Sequence, residues 1–165
     1  MVLKHVLLIF LMFGTWLLKA QEVSCEHSFK NDTLSVLAEG KLLEGEMLQT
    51  TLKNQSIVQM YAVDRKRFYI RIYVTENFYF NKVDILTIES GKWTYPVKNC
   101  KQYKISKTMG MYVFEVQKNY LATLRDEGIT GLVFAGAVTD FTRNDGQQIR
   151  KMCRCFYETM FGKKE

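Results

Sequence analysis

Phe68-Tyr69-Ile70-Arg71-Ile72-Tyr73-Val74 alternates strictly along its length. Phe68, Ile70, Ile72 and Val74 fall on one side of an extended chain, and Tyr69, Arg71 and Tyr73 fall on the other. A period of two is that of a β-strand covered on one face. Ile57, Tyr61 and Val63 lie in a second run just before it, closed by the charged stretch Asp64-Arg65-Lys66-Arg67. Two such runs around a polar turn predict a hairpin. The Tyr69, Arg71 and Tyr73 face has two readings. It is either a binding face or the second buried face of a sandwich.

On either side the pattern stays β-like. Residues 34–43 form a strand broken by Gly40, and Gly45 marks the next turn. Further strands are predicted over 83–88, 93–97, 102–105 and 111–116, with a final hairpin from 129–135 and 138–141 around Gly136. Tyr and Phe together number 20 against a single proline, Pro96. That balance suits pleated strands and argues against a linker protein. Two helices fit. Asn119 caps a short one that stops at Gly128. The second starts from Asp145 as N-cap, with Gln148 completing a capping box. Its stripe of Ile149, Met152, Cys153, Phe156 and Met160 packs on a sheet. The expected fold is mainly β, an antiparallel β-sandwich or partly closed barrel, with a short helix and a C-terminal amphipathic helix.

Residues 1–20 are set apart as a secretory signal. Lys4 and His5 give a short basic start, and 6–18 is almost wholly apolar but too short to span a bilayer comfortably. Ala20 is the expected residue before the cut, and 21–165 is one β-rich domain with no transmembrane segment. Export places it as secreted or periplasmic. Loss of Lys4 and Lys19 lowers the net charge of +6 to about +4, a mild basic excess that favours anionic partners. All four cysteines, Cys25, Cys100, Cys153 and Cys155, lie after the signal. In an exported chain they predict one or two disulfides, with Cys25 stapled to Cys155 or Cys100. Cys153 and Cys155 point about 200° apart on a helix, which argues against a bridge between them. Asn31-Asp32-Thr33 and Asn54-Gln55-Ser56 both match the N-glycosylation sequon, which carries meaning in a eukaryotic secretory route.

Catalytic and cofactor motifs are weak. His27 is the sole histidine after the signal, beside Cys25 and Glu26, with no base–nucleophile arrangement around it. No CxxC pair or zinc spacing occurs, and no metal or cofactor is expected. The stretch from Asp140 to Gly146 fails the calcium-loop pattern and reads as strand end, turn and helix cap. Asp84, Glu89, Glu115 and Asp140 are the acids from which a two-carboxylate hydrolase would draw its pair. Lys98, Lys101, Lys104 and Lys107 recur every third residue with Cys100 and Tyr103 among them. They are either a site for an anionic glycan, lipid or envelope protein, or strand edges guarded by charge. Export argues against nucleic acid as the partner.

Gly91-Lys92-Trp93 and Thr139-Asp140-Phe141 resemble the G-x-W and T-D-Y motifs of lipocalins. In that family the G-x-W precedes the first strand, whereas here it lies mid-chain. The family is not assigned. The resemblance implies only that a pocket for a small apolar ligand belongs among the expectations. The leading reading is a non-enzymatic exported binding or interaction protein, with a carrier of small apolar ligands and a carboxylate hydrolase as alternatives.

Overall fold

A computed structural model describes residues 30–36, 41–75, 85–97, 100–134 and 137–162. The expected signal, Cys25, His27, Asp84 and Lys98 fall outside them. Two antiparallel sheets and two helices make up the described fold, a sandwich rather than a closed barrel. The first sheet holds β1 (Lys30–Val36), β2 (Lys41–Thr51), β3 (Ile57–Val63), β4 (Arg67–Val74), β7 (Lys101–Lys104) and β8 (Gly110–Val116), in the order β1-β2-β3-β4-β8-β7. The second holds β5 (Leu86–Ser90), β6 (Trp93–Val97), β9 (Gly131–Phe134) and β10 (Ala137–Asp140), in the order β10-β9-β5-β6. α1 (Lys118–Glu127) lies between β8 and β9 in sequence, and α2 (Arg143–Phe161) follows β10.

One core joins these parts. Phe68, Ile70 and Ile72 of β4 and Phe114 of β8 meet Leu86 and Ile88 of β5, Leu132 of β9 and the buried stripe of α2. Tyr112 and Phe134 bring the two sheets into ring contact at 5.5 Å between centroids. The alternation read in β4 holds: Ile70 and Ile72 are fully buried on the core side. Each fully buried residue of that size contributes roughly 1.5–3 kcal/mol of apolar transfer energy.

Five sequence expectations are corrected. Residues 34–43 are not one strand: Leu34–Val36 end β1 and Lys41–Leu43 begin β2, and the two pair antiparallel. Gly45 is not a turn. It lies inside the eleven-residue strand β2, opposite Asp32 and next to the Glu46–Ala62 pair. The second helix starts three residues earlier than expected. Thr142 is its N-cap and accepts a hydrogen bond from Asp145 N–H at 3.2 Å, so Asp145 takes the third helical position. Gln117 rather than Asn119 precedes α1, and its side chain makes no cap bond. The disulfide expectation also changes. No bond joins two described cysteines, and Cys100 and Cys153 are free thiols. Cys100 points back at its own neighbour, its Sγ 3.7 Å from the Lys101 carbonyl, and Cys153 is enclosed in the core. Cys100 is therefore removed as a bridge partner. Cys155, buried on α2, is the one described cysteine that is not a free thiol.

Candidate functional site

A corner of the sandwich is left open because one stretch of chain changes sheets. β6 ends at Val97 in the second sheet, and β7 begins at Lys101 in the first. β7 pairs with β8 only as far as the Lys101–Val113 position. Beyond it, residues 114–116 of β8 keep β4 on one side and on the other face β6 across a gap. That gap is a pocket of about 370 Å³, at the lower end of ordinary ligand sites.

Ile88, Val97, Phe114, Val116 and Leu124 give the pocket an apolar floor, all of them core side chains. Tyr95 and Tyr120 form a wall, their ring centroids 4.4 Å apart and tilted by 56°. Glu115 and Gln117 stand at the rim. Phe114 and Val116 point into the core, so the Glu115 side chain points to the opposite face of the sheet. Its main chain has another direction. The Ile105 N–H to Met109 carbonyl bond (3.0 Å) continues the β7–β8 ladder, and antiparallel alternation then turns the backbone groups of residues 111, 113 and 115 toward the β7 side. The Glu115 N–H and C=O thus face the pocket side of β8. An apolar floor, an aromatic wall and main-chain polar groups can hold a small apolar body and orient one hydrogen-bonding group on it.

The described residues expected to bind do not line this pocket. Lys101 and Lys104 lie on edge strand β7 at a spacing of three, on opposite faces. Lys107 is exposed in the turn that follows. These three make no single stripe. Lysines along a sheet edge discourage pairing with another chain. Tyr69, only 7% exposed, packs with Met47, Tyr61, Val63 and Val113 in a second apolar cluster behind the sheet. The Arg71 guanidinium lies over the rings of Tyr61 (4.9 Å) and Tyr73 (5.5 Å). Its Nε donates to Gln59 Oε1 and its Nη2 to the Tyr61 hydroxyl. Gln59 Nε2 donates in turn to Gln49 Oε1 at 2.6 Å. Cation–π stacking and amide hydrogen bonds therefore tie three neighbouring strands together on this face.

Of the three candidate acids among the described residues, Glu89 and Asp140 approach one another. A methyl group placed on Gly131 would lie 2.7 Å from Glu89 Oε2 and 3.2 Å from Asp140 Oδ1. Both residues sit opposite Gly131 of β9, one on each neighbouring strand, on the outer face of the second sheet. Among the three described acids only Glu115 is at the pocket, and no two of them converge there. Burial pushes the Cys100 thiol up to about 12, against a smaller opposing effect from a Val113 backbone hydrogen bond. At neutral pH burial keeps it as the thiol. Among the described residues no three His, Cys, Asp or Glu side chains gather to hold a metal ion, and no helix is long and apolar enough to cross a membrane.

Tyr95, Gln117 and Tyr120 escaped the sequence reading. Their one advance signal is Pro96, the only proline, set inside a strand. A proline there marks an edge, and an edge beside a sheet change is where a pocket can open. Comparison with known proteins finds no matching family model, no matching curated protein and no matching solved structure.

Proposed function

We propose that the protein is an exported, non-enzymatic binding protein that carries a small, largely apolar ligand in the corner pocket between β6 and β8. The observation that carries this reading is the pocket's construction: a floor of core side chains reached from outside, with the Tyr95–Tyr120 wall beside it. Apolar surface open to solvent is a cost to the free protein that an apolar occupant removes. Basic start, apolar run and Ala20 support the export part of the reading.

Native mass spectrometry of protein recovered from its secreting host tests the proposal. A non-covalent adduct of low mass is expected, and Tyr120→Ala should lose it, with at least a tenfold weaker affinity. Tyr120 is partly exposed, so the melting temperature of the variant should stay near that of the parent. A bare polypeptide mass, with no thermal shift from any member of a fatty-acid, sterol and aromatic-amine panel, would sink the proposal.

A further inference from the structure

We propose that Asn54 is an N-glycosylation site, and that the Ser56 hydroxyl serves the attachment reaction rather than the folded protein. Asn54-Gln55-Ser56 forms the tip of the turn between β2 and β3, and Asn54 is exposed there. Asn54 Oδ1 accepts a hydrogen bond from Ser56 N–H at 3.0 Å, two residues on. The bond is local, between residues two apart, and the turn places Gln55 between them at a left-handed φ of 63°. The bond withdraws electrons from the amide and makes its Nδ2–H more acidic, the direction required of a nitrogen that must shed a proton as it attacks.

Ser56 supplies the second, independent observation. It is fully buried, and its Oγ is the one buried side-chain polar atom among the described residues with no hydrogen-bond partner. Buried hydroxyls are ordinarily satisfied, and an orphan one weakens the fold. Alanine would fill the same place without that penalty. A hydroxyl two residues after an asparagine is, however, what the sequon requires. The other sequon differs. Asn31 and Thr33 lie opposite Glu46 and Glu44 in the regular ladder of β1 with β2, an extended path without such a turn.

The reaction joins Asn54 Nδ2 to the anomeric carbon of an oligosaccharide delivered as a lipid diphosphate ester. The anomeric C–O bond breaks, the lipid diphosphate leaves with the bonding electrons, and Nδ2 gives up one proton. Nothing is oxidised or reduced. The inference rests on the export reading above, and specifically on a eukaryotic secretory lumen, where that donor is found.

The test is secretion of the full chain from a eukaryotic cell line, with intact mass read before and after an amidase that removes N-glycans. The parent should carry a glycan whose removal converts Asn54 to Asp. Asn54→Gln and Ser56→Ala should each lose it, while Ser56→Thr and Asn31→Gln should keep it. A secreted protein with unmodified Asn54 overturns the site and leaves the export reading standing. A chain retained in the cytosol without glycan overturns both. Ser56→Ala made in bacteria should melt at or above the parent temperature; a drop of several degrees would overturn the role given to the hydroxyl.

Discussion

Gly45 shows how little room a sheet leaves. A Cβ on this residue would sit 2.6 Å from the Ala62 carbonyl oxygen in the neighbouring strand, closer than any real contact. Gly45→Ala must push β2 away from β3. It should cost about 1–3 kcal/mol, the usual range for overpacking, read from the urea midpoint. Asp145 is a second such residue. It is 3% exposed, and its Oδ1 accepts the Lys53 N–H at 3.0 Å while its Oδ2 accepts the Thr142 hydroxyl at 2.5 Å. Burial alone would raise its pKa, but these hydrogen bonds, with the Lys53 charge, outweigh it and hold the carboxyl below its ordinary value. Stability from a lowered carboxyl pKa is fully present above the unfolded value near 3.9 and is lost as pH falls through the folded value. Asp145→Ala should therefore cost about 1–3 kcal/mol at pH 7, and the gap from the parent should close below pH ~4. A gap unchanged at pH 3 would mean that the charge contributes nothing. Neither residue's role was legible in the sequence. A glycine in a strand and one in a turn are the same letter, and the Lys53 contact spans 92 positions.

Elements with a strong internal period were legible. β4 lies where the alternation put it, and four of the five stripe residues of α2 are buried. The start of α2 was not, because Thr142-x-x-Asp145 and Asp145-x-x-Gln148 obey the same spacing rule. The β2–β3 turn, docking its Lys53 N–H on Asp145, supports the first of them. The β3–β4 hairpin was legible in position but not in conformation. Asp64 and Arg65 both take positive φ, 53° and 52°, with Lys66 N–H bonded to the Val63 carbonyl at 3.1 Å. This is a type I′ turn built without glycine. A left-handed non-glycine residue carries roughly 1–2 kcal/mol of strain, partly offset by the greater chain entropy that glycine loses on folding. Arg65→Gly should raise stability by about 0.5–1 kcal/mol. The Arg65–Glu46 ion pair that it removes is exposed and contributes little. A lower melting temperature would refute that balance.

At the scale of the molecule, the corner pocket could not be read in advance. It depends on where β7 stops along β8 and on how a second sheet lies against the first, neither of which is written in a local period. The free edge of β6 beside it is also a whole-molecule matter. Gly91-Lys92 makes a two-residue turn closed by the Ser90–Trp93 pair. Alternation from that bonded pair leaves Thr87–Pro96 unbonded, with the Pro96 nitrogen turned to solvent. Trp93, 61% exposed, lies on the same edge strand. Proline thus removes the donor that another chain would use there. Pro96→Thr should leave the melting temperature within a degree or two and raise self-association, measured by light scattering. A variant as monomeric as the parent would show that the edge needs no guard.

The strand order has a consequence in time. β4 is flanked by β3 and β8, yet β8 is synthesised ~35 residues after β4 ends. At about 5–20 residues per second that is a wait of ~2–7 s. Through this interval the nascent chain carries β4 with one edge unpaired, a strand rich in aromatic and β-branched residues, the kind of edge on which chains aggregate. Yield in recombinant production should therefore depend less on final stability than on how fast Gly110–Val116 arrives, and slower translation across residues 75–109 should lower it.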